Sequence, residues 1–120
     1  MFLGIDVSKK TLDAALLKDG SKARHKVFSN DAAGHTAILQ WLEEQGADRV
    51  HACLEATGTW AEAVALVLHQ ADHDVSLVNP ARTHAFAKSQ LKRTKTDKAD
   101  AILIAQFCQM NLCQMHQPPA

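Results

Sequence analysis

Four carboxylates stand out by position. Asp6 lies near the exit of an apolar run, Phe2-Leu3-Gly4-Ile5-Asp6-Val7, and Glu55 closes a second one, Arg49-Val50-His51-Ala52-Cys53-Leu54. A carboxylate leaving a buried strand is paired or holds a metal, because desolvating an unpartnered charge is too costly. Asp97 and Asp100 begin a stripe at spacings of three and four that continues Ala101, Ile104, Phe107, Cys108. On a helix these residues share the face that packs inward, so both acids should turn toward the rest of the fold. Acids in a first turn also suit the helix dipole, whatever else they do. Four carboxylates brought together would raise one another's proton affinity unless a cation neutralised them. An all-oxygen donor set favours Mg²⁺ or Mn²⁺ over zinc. The seven histidines are scattered. His69 and His73, four apart, are expected to straddle a helix end rather than bind metal. Neither a G-x-x-x-x-G-K-[ST] loop nor a G-x-S-x-G elbow occurs.

The elements that must position these acids follow from pattern. Residues 2–7 read as a central strand buried on both faces, residues 11–17 as a second strand and residues 22–28 as a third. Asp19-Gly20 is a hairpin signal, so the three form an antiparallel meander. In the third strand Ala23, His25 and Val27 oppose Lys22, Arg24 and Lys26, which predicts one wet face and an edge position. Ser29-Asn30-Asp31 caps an amphipathic helix with Ala33, Ala37, Ile38, Trp41 and Leu42 inward, ended by Gly46. The fourth strand, residues 49–54, leads to Glu55. Thr59-Trp60-Ala61-Glu62 has the form of a capping box opening an apolar helix to Leu68. A fifth strand, residues 75–78, stops at Asn79-Pro80, giving a right-handed crossover between parallel strands. A helix over residues 80–90, a basic loop over 91–95 and a final helix from about Thr96 complete the chain. The fold class is α/β: a mixed five-stranded sheet, first an antiparallel meander and then parallel strands, with helices packed on it.

At 120 residues and 47% hydrophobic, the chain is one domain with a real core. The zero net charge hides an asymmetry. Residues 80–98 carry six basic side chains (Arg82, Lys88, Lys92, Arg93, Lys95, Lys98) against Asp97 alone, while the remainder carries seven basic and twelve acidic. Such a stretch suits a phosphate-binding edge as well as a solvated face. Three cysteines without a C-x-x-C pair fit a reducing compartment, with Cys53 and Cys108 as small core residues. No run reaches the roughly 18 apolar residues of a membrane span, and no leader is evident, so a cytoplasmic location is expected.

Gly4-Ile5-Asp6-Val7-Ser8-Lys9, Glu55-Ala56-Thr57-Gly58, Asn79-Pro80 and Lys95-Thr96-Asp97-Lys98-Ala99-Asp100-Ala101 together resemble the signature of the DEDD transposases of bacterial insertion sequences. These are related to the Piv site-specific invertases, and their amino-terminal domain resembles RuvC-type resolvases. The resemblance spans essentially the whole chain. It implies an RNase H-like (RuvC-like) fold with the first strand central and helices on both faces. It also implies that Asp6, Glu55, Asp97 and Asp100 are catalytic ligands for Mg²⁺ or Mn²⁺, two ions, in DNA strand cleavage and rejoining. The implied partners are DNA (element ends and target), a structured guide RNA and further copies of the full-length protein, with no membrane. Lys9, Lys92, Arg93, Lys95 and Lys98 are expected along the phosphate backbone. Members continue into a carboxy-terminal domain bearing a serine implicated in the chemistry. Residues 1–120, which stop at Gln117-Pro118-Pro119-Ala120, are expected to be the amino-terminal domain alone. Two other readings compete: a fragment of an actin-like or sugar kinase ATPase, and a non-catalytic nucleic-acid-binding module of the same fold.

Overall fold

Apolar residues alternate along the strands so that both faces of one sheet are covered. The computed structural model describes residues 1–18, 22–55, 59–89 and 97–115. It contains β1 (Phe2–Val7), β2 (Thr11–Leu17), β3 (Arg24–Ser29), α1 (Ala32–Glu44), β4 (His51–Glu55), α2 (Glu62–Gln70), β5 (Asp74–Val78), α3 (Pro80–Ser89) and α4 (Asp97–Met115). The sheet order is β3-β2-β1-β4-β5. β1–β2 and β2–β3 pair antiparallel, whereas β1–β4 and β4–β5 pair parallel. The expected mixed sheet is therefore present, with β1 central and β3 at one edge.

Leu3, Ile5, Leu12, Leu16, Ala52 and Leu54 face Ile38, Trp41 and Leu42 of α1 and Val64 and Leu68 of α2 in one aliphatic cluster. On the other face α4 lies across β1, β2 and β4. There Ala15 meets Ala101 and Ala105, and Cys53 meets Ile104 and Cys108. The expected inward stripe of α4 is buried at Ala101, Ile104, Phe107 and Cys108. Gly4 is what lets this helix settle, since a Cβ there would stand 2.8 Å from the Ala105 Cα and overlap the helix backbone.

Asp31 caps α1 by accepting from the Gly34 amide at 2.8 Å, and Gly46 takes the left-handed conformation (φ +73°) just beyond the helix. Two local expectations are corrected. The capping box at residues 59–62 does not form: Ala61 is already helical with no side-chain cap, and the Glu62 amide bonds the Thr59 carbonyl at 3.2 Å. A tight turn, not an extended cap residue, thus leads into α2. In β3 the buried apolar residue is Phe28, on the face of Lys26 rather than that of Val27, which is exposed. The pull of Trp41, whose ring centroid lies 5.6 Å from that of Phe28, decides the phase. The Asp19-Gly20 turn and residues 91–95 lie outside the described residues.

Candidate metal centre

β1 and β4 run parallel with Ile5 opposite Leu54, so the next residue on each strand is an acid, Asp6 beside Glu55. Adjacent strands are about 4.8 Å apart, which sets the scale of their separation. Asp6 lies two residues beyond Gly4, and Glu55 two beyond Cys53; Gly4 and Cys53 both touch α4. Side chains alternate across a strand, so both carboxylates emerge on the α4 face at the carboxyl edge of the sheet. Asp6 and Glu55 are each half-buried.

α4 brings Asp100, also half-buried, to the same edge. Burial raises the proton affinity of Glu55; the His84 imidazole and a hydrogen bond with Thr83 oppose the rise, and the Asp100 carboxylate adds to it. A strand acid and a helix acid more than forty residues apart thus feel one another's charge. Asp97 opens α4, and its side chain lies outside the described atoms. Lys98 is exposed in the same first turn, and Lys9 is exposed in the turn after β1; Lys92, Arg93 and Lys95 lie outside the described residues.

Asn79-Pro80 has a positional role. The Asn79 side chain accepts from the Ala81 amide at 2.8 Å, and its carbonyl accepts from the Arg82 amide at 2.9 Å. Proline in the first turn suits the opening of a helix, where its missing N–H is not needed. The motif so starts α3 directly after β5 and places Thr83, which is buried, against Glu55. Phe86 of α3 then packs edge-on to Phe107 of α4, with centroids 5.7 Å apart.

Sequence reasoning missed Asp13. It pairs directly with Asp6 across β1 and β2, so it shares the sheet face of Asp6. Only 6% of it is exposed, and the His25 ring nitrogen Nε2 lies 2.9 Å from its carboxylate. The signal was available: a tight turn over residues 8–10 sets Val7 opposite Leu12, and counting back along both strands puts Asp6 against Asp13.

Among the described residues, the three-donor group whose ligand atoms all fall within 4.8 Å is His51, Cys53 and Cys108, not the carboxylates. These donors satisfy one another. His51 Nε2 is 2.8 Å from Ser76 Oγ, and Cys108 Sγ donates to the His51 carbonyl at 3.6 Å. The hydrogen bond with Cys53, together with burial, pushes the Cys108 thiol well up. Neutral buried thiols act here as core, as expected of Cys53 and Cys108. His73 is likewise structural, its Nδ1 accepting from the Val50 amide at 3.1 Å.

The carboxylate edge has the donor chemistry of a hard cation, with oxygen donors from β1, β4 and α4 on one face, while among the described residues no three carboxylates bring their oxygens within 4.8 Å of one another.

Comparison with known proteins agrees with the fold. The RuvC structure of Thermus thermophilus is similar in fold, with a TM-score of 0.63 at 17% identity and 95% of each chain covered. The "Pilin gene-inverting protein" of Moraxella bovis is 38% identical over 108 residues, and that of Moraxella lacunata 37%. Each match covers 88% of this chain, which spans about one third of the length of those relatives (33%). The DEDD transposase family of IS110 type, described as "Transposase", matches residues 3–119, and the chain belongs to that family.

Proposed function

We propose that this chain is the metal-dependent catalytic domain of a DNA transposase or site-specific recombinase, with Asp6, Glu55, Asp97 and Asp100 as its ligands and catalytic acids. The observation that carries the reading is the strand register that sets Asp6 beside Glu55 at the carboxyl edge of the sheet, with α4 packed across β1 and β4 and carrying Asp100 to that edge, where ligands bind in open α/β folds. Family membership and relatives that invert a gene support the same chemistry, since inversion requires DNA to be cut and rejoined. Mg²⁺ or Mn²⁺, as two ions, would supply charge neutralisation at the scissile phosphate and a lowered pKa for the attacking oxygen. The chain's own residues have separate tasks. β1 and β4 fix two acids rigidly, α4 delivers the others, and Thr83 orients Glu55. Lys9 and Lys98, with Lys92, Arg93 and Lys95, would line the phosphate backbone.

The chain spans about one third of the length of its curated relatives (33%), and recombination is proposed for a protein of their length. In it a carboxy-terminal domain would contribute a serine, a structured guide RNA would select element ends and target, and several copies would assemble. Among the described residues no helix is long and apolar enough to cross a membrane.

The test is metal-dependent stabilisation. Mg²⁺ should raise the melting temperature of the wild-type chain, since a ligand that binds only the folded state stabilises it. Asp6→Asn should melt no lower than wild type in chelator and lose that rise. An equal Mg²⁺ response in both proteins would show that Asp6 is not a ligand and would overturn the shared site.

A further inference from the structure

The turns that leave β1 and β4 carry a second pair of residues on the edge that holds the carboxylates. Trp60 is 45% exposed, a large indole kept in water while the chain's other tryptophan, Trp41, is buried. Lys9 Nζ lies 5.6 Å from the centre of the Trp60 ring. The two backbones are strapped together. Asn30 Nδ2 donates both to the Ser8 carbonyl at 2.9 Å and to the Trp60 carbonyl at 3.0 Å. The Asn30 amide donates to the Lys10 carbonyl at 2.8 Å, and its side-chain oxygen lies 2.8 Å from Nε2 of the buried His35. An aromatic ring is thus presented outward on a fixed mount, with a cation against it, beside acids that repel phosphate.

We propose that Trp60 and Lys9 form a stacking platform for an unpaired nucleobase, Lys9 reaching the phosphate that flanks it. This deepens the nucleic-acid reading above and rests on it. Every base has a π face, so an exposed indole takes any of them once it is unstacked, and a neighbouring ammonium serves the backbone. Bases inside an intact duplex already stack on their neighbours and have no free face to offer. The substrate seated beside the carboxylates therefore has a single-stranded or splayed nucleotide at this edge. DNA opened at a branch and single-stranded RNA share that chemistry.

The experiment is fluorescence anisotropy of the 120-residue chain, in chelator, with a labelled single-stranded DNA, an RNA of the same sequence and a blunt DNA duplex. Trp60→Ala should weaken single-strand binding roughly ten-fold or more, whereas Trp60→Phe, which keeps a ring, retains most of it. Duplex affinity and the salt dependence of Trp60→Ala should match wild type, and Lys9→Gln should lower the salt slope by about one unit. Unchanged melting of the exposed-site variants excludes misfolding as the cause. The stronger of the DNA and RNA losses identifies the strand that seats on Trp60. Wild-type binding that Trp60→Ala leaves intact, or weakens equally for duplex and single strand, overturns the platform and leaves the nucleic-acid reading standing. A wild-type chain that binds none of the three probes removes both.

Discussion

The two faces of the sheet are built on opposite rules. Toward α1 and α2 the strands present Leu3, Ile5, Leu12, Leu16 and Leu54, large side chains that bury apolar area and keep the helices at a side chain's distance. Toward α4 they present Gly4, Ala15 and Cys53, and the helix answers with Ala101 and Ala105, so backbone approaches backbone. The first face carries the greater share of the hydrophobic stabilisation, at about 25 cal/mol per Å² of apolar surface buried. The second gives up area for placement: a helix set down on a glycine has little room to slide, and its first turn carries the acids. Stability and site geometry are thus separable here by which side of the sheet is touched.

Leu54→Ala should break the first face with the largest effect, about 2–5 kcal/mol by urea denaturation, as for other fully buried leucines. At temperatures where this variant is folded, its Mg²⁺ response should survive; losing it would mean that the two faces are not independent. Gly4→Ala should cost less, about 1–3 kcal/mol, because it overpacks rather than empties the contact. Yet it should abolish the Mg²⁺ response, because α4 must lift and carry Asp100 away from Glu55. A Gly4→Ala variant with full metal-dependent stabilisation would show that α4 does not set the site.

The smallest effect sharpens the comparison through pH. Burial holds His35, His51 and His73 below their ordinary 6.5, with nearby aspartates opposing it in part. The unfolded chain then binds more protons than the folded one, so this contribution is complete above 6.5 and is lost as pH falls through the lowered values. His35 mounts the Asn30 strap near α1, whereas His51 lies under α4. NMR titration of the ring protons should find both below 6.5, and replacing each by Gln shows which face yields first in acid. Stability that stays flat as the medium is acidified through that window would contradict the assignment.

Much of this was legible in residue order. The strands, the helix stripe ending at Cys108 and the positions of Asp6 and Glu55 followed from period and punctuation, because a buried strand and an amphipathic helix each impose one spacing. The failures are local competitions that a linear pattern does not decide. Thr59-Trp60-Ala61-Glu62 has the letters of a capping box, but the strap from Asn30 to the Trp60 carbonyl fixes a turn there. Phe28 overrode the alternation of β3 because Trp41 was within reach. Asp13 went unnoticed because an acid in a half-exposed strand is ordinary until the hairpin register is counted. The exposed indole of Trp60 also needed the fold: a tryptophan at a helix entrance reads as core until its surroundings are known.

The contact between Gly4 and Ala105 joins positions about a hundred residues apart in a chain of 120. The β1–β2–β3 meander pairs neighbours and can close early, whereas β4 must return across an intervening helix and α4 across nearly the whole chain. Closing such long loops costs entropy before any contact repays it, so the α4 face is the last to assemble. During synthesis the first two acids emerge long before Asp100, and an incomplete chain has no means of gathering them. The edge that carries Asp6, Glu55 and Asp100 is therefore complete only when nearly all of this domain has been made, and shorter nascent fragments lack it by topology.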